Sequence, residues 1–257
     1  MGTMTTSSKV STTAKPELTD RVRSFFDQPE NYLDRKRFDI RLRAETTQFF
    51  LKGKNFQKII DIGCGDGSVS LPLLSEKTQL TLVDLSPNML SLARSRVPEN
   101  LSGNVQFFQE DFVRLPLEEN SFDVVICMGV LAHVASPEEV IQRAAALLKP
   151  GGTLLLECTD SFHFVRRLMT AHSRLLQLFR PTQYKLTKLT GAGVSALAAK
   201  AGLELTGKFR YAWPAPGLQR VFSQDRLYRM VRGVFGNAQN NRNAGLGFEY
   251  IFCLTRR

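Results

Sequence analysis

Hydrophobic residues along this chain change period several times, and the changes mark out its elements. Between residues 58 and 160, short apolar runs at 58–62, 79–84, 105–109, 122–128 and 153–157 alternate with helical stretches. Alternation at this spacing predicts a doubly wound parallel sheet. The run 122–128 is almost wholly apolar, as a strand covered on both faces should be. A helix is expected at 68–75, after the first strand. Another begins at Ser86-Pro87, with Ser at the N-cap and Pro in the first turn, and a third spans 137–148 before Lys149-Pro150-Gly151-Gly152 stops it.

On either side the rhythm differs. Residues 17–51 read as one or two amphipathic helices broken near Pro29. Residues 162–179 predict a helix with Val165, Leu168, Met169, His172, Leu175, Leu176 and Phe179 on one face and Arg166, Arg167, Arg174 and Arg180 elsewhere. His172 is expected in the core. The strand-and-helix rhythm resumes with a helix at 194–201 and a strand at 203–211. A second basic amphipathic stretch at 218–235, a loop at 236–247 and a strand at 248–254 complete the chain. The expected organisation is a disordered tail over 1–20 and lid helices over 21–54. A core follows at 55–160, is completed by 191–211 and 248–257, and is capped by helical insertions at 161–190 and 212–247.

Composition narrows the class. The 257 residues are 43% hydrophobic, and no segment reaches the 18 consecutive apolar residues of a membrane span. The first 20 residues lack an apolar h-region, so the expected setting is the cytoplasm. The start at Met1-Gly2 fits a myristoylation pattern only formally. Cys64, Cys127, Cys158 and Cys253 form no Cys-x-x-Cys pair, which suggests neither a zinc site nor a disulfide framework. The net charge of +10 is unevenly spread: residues 61–160 carry −8 and residues 161–257 carry +13. An acidic middle therefore precedes a strongly basic C-terminal third.

The chemistry starts at Asp61-Ile62-Gly63-Cys64-Gly65-Asp66-Gly67, where a strand ends in a glycine-rich turn. Glycines let a chain turn sharply and let a ligand approach the backbone. Nicotinamide enzymes carry a related turn. The next strand ends Leu82-Val83-Asp84, 21 residues after Gly63, and places a carboxylate where it could accept both hydroxyls of a ribose.

At these residues the chain resembles the class I S-adenosylmethionine-dependent methyltransferase family, small-molecule type. The likeness covers about residues 55–160 and 190–255. The glycine turn is similar to the family's first motif, Asp84 in Val83-Asp84-Leu85-Ser86 to its ribose-binding acid, and Asp111 in Gln109-Glu110-Asp111-Phe112 to its adenine-contacting acid. Ser121-Phe122-Asp123 and Lys149-Pro150-Gly151-Gly152 match the approaches to the fourth and fifth strands. The last element and Asp111 argue against a nicotinamide enzyme.

The resemblance implies a Rossmann-like, mostly parallel seven-stranded sheet. It implies S-adenosylmethionine as donor, S-adenosylhomocysteine as product, and a cofactor site of Asp61, Gly63, Cys64, Gly65, Asp84, Leu85, Met89, Asp111, Phe112, Met128 and Gly129. It also implies direct displacement at the methyl carbon, in which alignment can supply roughly 7–11 kcal/mol of the barrier. His133, after the fourth strand, is the candidate base; its competing role is to hold a loop. Asp160 and His163 at the same rim, with Tyr32, Tyr184, Tyr211 and Trp213, are candidate acceptor contacts, and each could equally be packing. Asp160 could also cap a helix.

Three acceptors compete. A small hydrophobic or aromatic metabolite, methylated on O or N, suits such a cap, and an acidic group on it would suit the arginines at the mouth. RNA would suit the basic third, but the Asn/Asp-Pro-Pro-Tyr/Phe and Pro-Cys elements of base methylases are missing, with Cys127-Met128-Gly129-Val130 after the fourth strand. A lipid-like acceptor at a membrane surface would suit basic amphipathic helices. A monomer or homodimer is expected, and no metal.

Overall fold

The computed structural model describes residues 14–27, 29–175, 186–214, 217–218 and 221–257. Two helices come first, α1 (Ala14–Phe26) and α2 (Pro29–Leu51). α1 thus begins inside the stretch expected to be a disordered tail. The core then runs β1 (Lys58–Ile62), β2 (Gln79–Asp84), α3 (Pro87–Ser95), β3 (Val105–Gln109), β4 (Phe122–Cys127), α4 (Pro137–Leu147) and β5 (Leu148–Thr159). It continues with α5 (Phe164–Leu175), α6 (Gly191–Lys200), β6 (Leu203–Tyr211), α7 (Gln224–Phe235) and β7 (Glu249–Arg256). The strands form one seven-stranded sheet in the order β3-β2-β1-β4-β5-β7-β6. All pairs are parallel except those of β7, which runs antiparallel to both β5 and β6.

Helices start where side chains can satisfy their first amides. Ser86 Oγ accepts from Met89 N ahead of Pro87, and Ser136 Oγ from Glu139 N ahead of Pro137. Thr190 and Ser223 cap α6 and α7 in the same way. One sheet face is packed by α2, α3 and α7, through Phe38, Leu42, Leu90, Leu227, Val231 and Phe235. The other is packed by α4 and α6, through Val140, Ile141, Ala144, Val194 and Ala198. The central strands are buried on both sides, which accounts for their unbroken apolar runs.

Several expectations change. No α-helix follows β1: residues 68–75 hold turns and a single 3-10 turn, Leu71–Leu73. Pro72 has no N–H to donate to a helical ladder there, so the glycine turn opens into a short coil. β5 extends well beyond residues 153–157 and takes in Lys149-Pro150-Gly151-Gly152. Asp123 explains part of that element, because it holds Lys149 Nζ at 2.6 Å and accepts the amides of Gln57 and Lys58. α5 starts at Phe164, and the expected residues 176–179 lie outside the described ones. Its apolar positions divide: Val165 and Met169 pack inward, while Leu168, Leu175 and His172 are exposed. His172 therefore does not sit in the core. α7 begins only at Gln224, because Ser223 caps it, and it packs against α2 and the sheet.

Candidate functional site

At the C-terminal ends of β1, β2 and β4 the chain leaves the sheet and surrounds a cavity. Its empty space, mouth included, is about 1120 Å³, enough for a nucleotide-sized ligand. Every residue assigned to the cofactor lines it: Asp61, Gly63, Cys64, Gly65, Asp84, Leu85, Met89, Asp111, Phe112, Met128 and Gly129. His133 lines it as well, its ring edge-on to Phe26 at 5.4 Å.

The turn between β1 and the cavity is held from behind. Gly63 N and Cys64 N donate to Val83 O, so the loop is tied to β2. Gly63 has φ +66°, and a Cβ there would stand 2.4 Å from Val130 Cγ2. Only glycine fits both the backbone and the space. Asp84, at the end of β2, accepts Gly65 N at 2.8 Å on Oδ2 and Ser86 N at 2.9 Å on Oδ1. Those bonds orient the carboxylate and leave lone pairs for hydroxyl donors. Asp111 Oδ1 accepts Val113 N at 3.2 Å, which holds the third acid at the end of β3.

Asp61 is buried, and its Oδ2 has no hydrogen-bond partner among the described residues. Burial pushes its carboxyl up to about 7 against the opposing pull of the Ser70 hydroxyl, and the nearby Asp84 and Asp66 oppose a charge there further. Burial likewise raises Asp84, against the amides of Ser86 and Gly65. Asp66 is occupied by Arg96 and Ser68. The Cys64 thiol is pushed well above its ordinary range by burial, so no thiolate is offered to the cavity.

The sequence suggested lid helices over 21–54 but singled out none of the side chains on the helical side of the cavity. Val22, Arg23 and Phe26 of α1, with Ile40 and Arg43 of α2, complete the wall. α1 is tethered over it by Asp27, whose carboxylate accepts Ser86 Oγ at 2.9 Å and whose carbonyl accepts Asn88 Nδ2 at 2.8 Å. Among the described residues Arg43 is the buried cation. Its Nε donates to Glu157 Oε1 at 3.0 Å, and the same guanidinium lies 2.8 Å from Glu157 Oε2 and 3.2 Å from Asp39 Oδ2. Tyr211 hydroxyl bridges Asp39 and Glu157 from behind. Burial raises Glu157, with Arg43 opposing. This clamp presses the guanidinium against Gly129, where a Cβ would stand 3.2 Å from both terminal nitrogens. A sequence signal did exist: Asp39 and Arg43 are four apart, beside the apolar Phe38 and Leu42.

The expected acceptor contacts do not gather there. Asp160 accepts Phe162 N and Gly191 N, which brace the loop after β5 against α6 rather than capping the helix that follows it. His163 Nε2 lies 3.0 Å from Gly245 O. Tyr211 is fully buried in the Arg43 clamp, and Trp213 packs edge-on to Phe248 with Arg166 over its ring. None of these four lines the cavity. The Tyr32 side chain and Tyr184 lie outside the described residues. Among the described residues no group of His, Cys, Asp and Glu could hold a metal ion.

A methyltransferase-domain family profile matches residues 60–156. A ubiquinone biosynthesis O-methyltransferase of Xanthomonas euvesicatoria is 30% identical over 169 residues, spanning 65% of this chain and 69% of that protein. The chain belongs to the class I S-adenosylmethionine-dependent methyltransferase family. The protein of the same description from Coxiella burnetii is 35% identical over 115 residues, 45% of this chain. That match spans 47%, about half, of the relative's own length. Among solved structures, an S-adenosylmethionine-dependent methyltransferase of Thermotoga maritima superimposes with a TM-score of 0.64 at 18% identity, covering 93% of this chain and 100% of that one. Magnesium protoporphyrin IX methyltransferase of Synechocystis, solved with S-adenosylhomocysteine, gives 0.63 at 16% identity over the same shares. At these identities the superpositions establish the fold.

Proposed function

We propose that this chain transfers the methyl group of S-adenosylmethionine to a small apolar or aromatic acceptor. The observation that carries this reading is the convergence of Asp61, Asp84 and Asp111, from three adjacent strand ends, on one cavity that also holds Arg43 and His133. The orphaned Oδ2 of Asp61 fits a ligand that brings a cationic donor, and the methionine end of this cofactor carries an ammonium. When bound, the cofactor supplies an electrophilic methyl group.

The chain's own residues then have separable tasks. Asp84 accepts the ribose hydroxyls and Asp111 the adenine edge. Arg43, locked by Asp39 and Glu157, meets the carboxylate of the amino-acid end. Phe26 and Val22 close the cavity against water. His133 takes a proton from an acceptor that still carries one near neutral pH. A lipid-like acceptor is the second reading, favoured by the apolar residues that α5 exposes.

The test is methyl transfer from labelled S-adenosylmethionine to phenols, carboxylic acids, amines and mixed RNA. Transfer to a small acceptor, reduced at least about 100-fold in kcat by His133→Asn with unchanged cofactor affinity, is expected. Methylation of RNA alone would overturn the acceptor class, and an unchanged kcat would remove the base role.

A further inference from the structure

Helix α5 spends its hydrophobic residues in two directions, and only one is used by the fold. Val165 and Met169 pack into the core beside Trp213. Phe164, Leu168 and Leu175 point the other way and are 62%, 68% and 81% exposed. At about 100° per residue these three fall within about 40° of one another, a ridge along the outer side of the helix. Phe162, just before the helix, is 56% exposed and extends it. Three turns of helix make this ridge about 18 Å long.

Along the sequence the charges between residues 161 and 203 have one sign, though Lys200 is paired with Glu138. No Asp or Glu occurs between Asp160 and Glu204, a stretch that holds Arg166, Arg167, Arg174, Arg180, Lys185, Lys188 and Lys200. Arg167 is exposed beside the ridge, and Arg166 lies partly buried over the rings of Trp213 and Phe248, 5.5 and 5.7 Å from their centres. No helix among the described residues is long and apolar enough to cross a membrane.

We infer that α5 docks this protein on an anionic lipid surface, with Phe162, Phe164, Leu168 and Leu175 entering the headgroup–acyl boundary and the neighbouring arginines on the lipid phosphates. Shape and charge select this occupant. A convex ridge of large side chains needs a yielding medium, which a bilayer interface supplies, and the cations gain from negative headgroups. Two copies joined ridge to ridge would instead bring their arginines together with no acid in the segment to offset them. The docking does not depend on which acceptor is methylated.

The test is flotation of the full chain with phosphatidylcholine vesicles, with and without phosphatidylglycerol. Binding to the anionic vesicles, weakened by salt, is expected. The paired substitution Phe164→Ser with Leu168→Ser should lower it at least about tenfold, and Arg167→Glu should lower it too. Both side chains are exposed, so the paired variant should keep its affinity for S-adenosylhomocysteine by calorimetry. That control separates the docking surface from the methyl-donor site. No flotation of the parent chain with anionic vesicles would overturn the inference, as would a paired variant that floats like the parent. Concentration-dependent dimers abolished by the same pair, without vesicle capture, would overturn it in favour of a second copy.

Discussion

The donor half of this molecule and its C-terminal third use charge in opposite ways. Around the cavity, acids from separate strand ends are brought inward and two are held by the backbone: Asp84 by Gly65 and Ser86, Asp111 by Val113. Burial then raises Asp61 and Asp84 instead of leaving them solvated. In the C-terminal third Arg167 of α5 and Arg226 and Arg229 of α7 stay exposed, and α7 turns its apolar face onto α2. Charge that faces inward must be matched to one ligand. Charge that faces outward constrains only the sign of what it meets.

The largest effect should come from breaking the clamp in which the inward network holds a buried cation. Arg43→Ala leaves Asp39 and Glu157 buried without their shared partner, and should cost about 3–5 kcal/mol in denaturant unfolding. A midpoint that does not move would show that the clamp carries no such weight. Next in size, Asp84→Ala should weaken S-adenosylmethionine binding about 10- to 100-fold by calorimetry, the worth of hydrogen bonds to a charged group. Unchanged affinity would refute the ribose assignment. Neither loss should appear with Arg229→Ala, on the outer side of α7.

The smallest expected effect sharpens the comparison through pH. The Asp61 carboxyl is raised from an ordinary 3.8 to about 7 in the folded chain. The folded state therefore holds this proton over a window in which the unfolded chain has lost it. Stability from Asp61 is complete below about 3.8 and is lost as pH rises through about 7. Asp61→Asn should accordingly gain on the parent in thermal melts as pH climbs through that window. The net advantage left at the top of the window should be on the order of 1 kcal/mol, because the unmet hydrogen bonds of the new amide subtract a cost that does not vary with pH. A difference that does not vary with pH would place Asp61 in a more solvated setting. The donor should also bind more tightly above about 7 than below it, since an ionised Asp61 attracts an ammonium.

Where local pattern and fold agree, the elements were legible. β1, β2, β3 and β6 fall on their expected residues, and the capped start of α3 was visible in Ser86-Pro87. The expected helix at 68–75 failed because Pro72 outweighs the rhythm around it. Phe164, Leu168 and Leu175 could not be told from Val165 and Met169, since periodicity says that a helix is amphipathic and not which side is covered. The acceptor candidates Asp160, His163, Tyr211 and Trp213 were placed near the rim by chain position alone. Their side chains turned to Gly191, Gly245, Glu157 and Phe248.

By itself the sequence picked out the residues of the proposed donor site, because its acids and glycines stand at strand ends whose spacing is local and whose backbone needs are chemical. Tertiary structure alone decided the rest of the wall. Arg43 and Glu157 are 114 positions apart, and only the packing of α2 across β5 makes them a pair. The same packing left one face of α5 outside, since a helix already seated on Val165 and Met169 has no second side to bury.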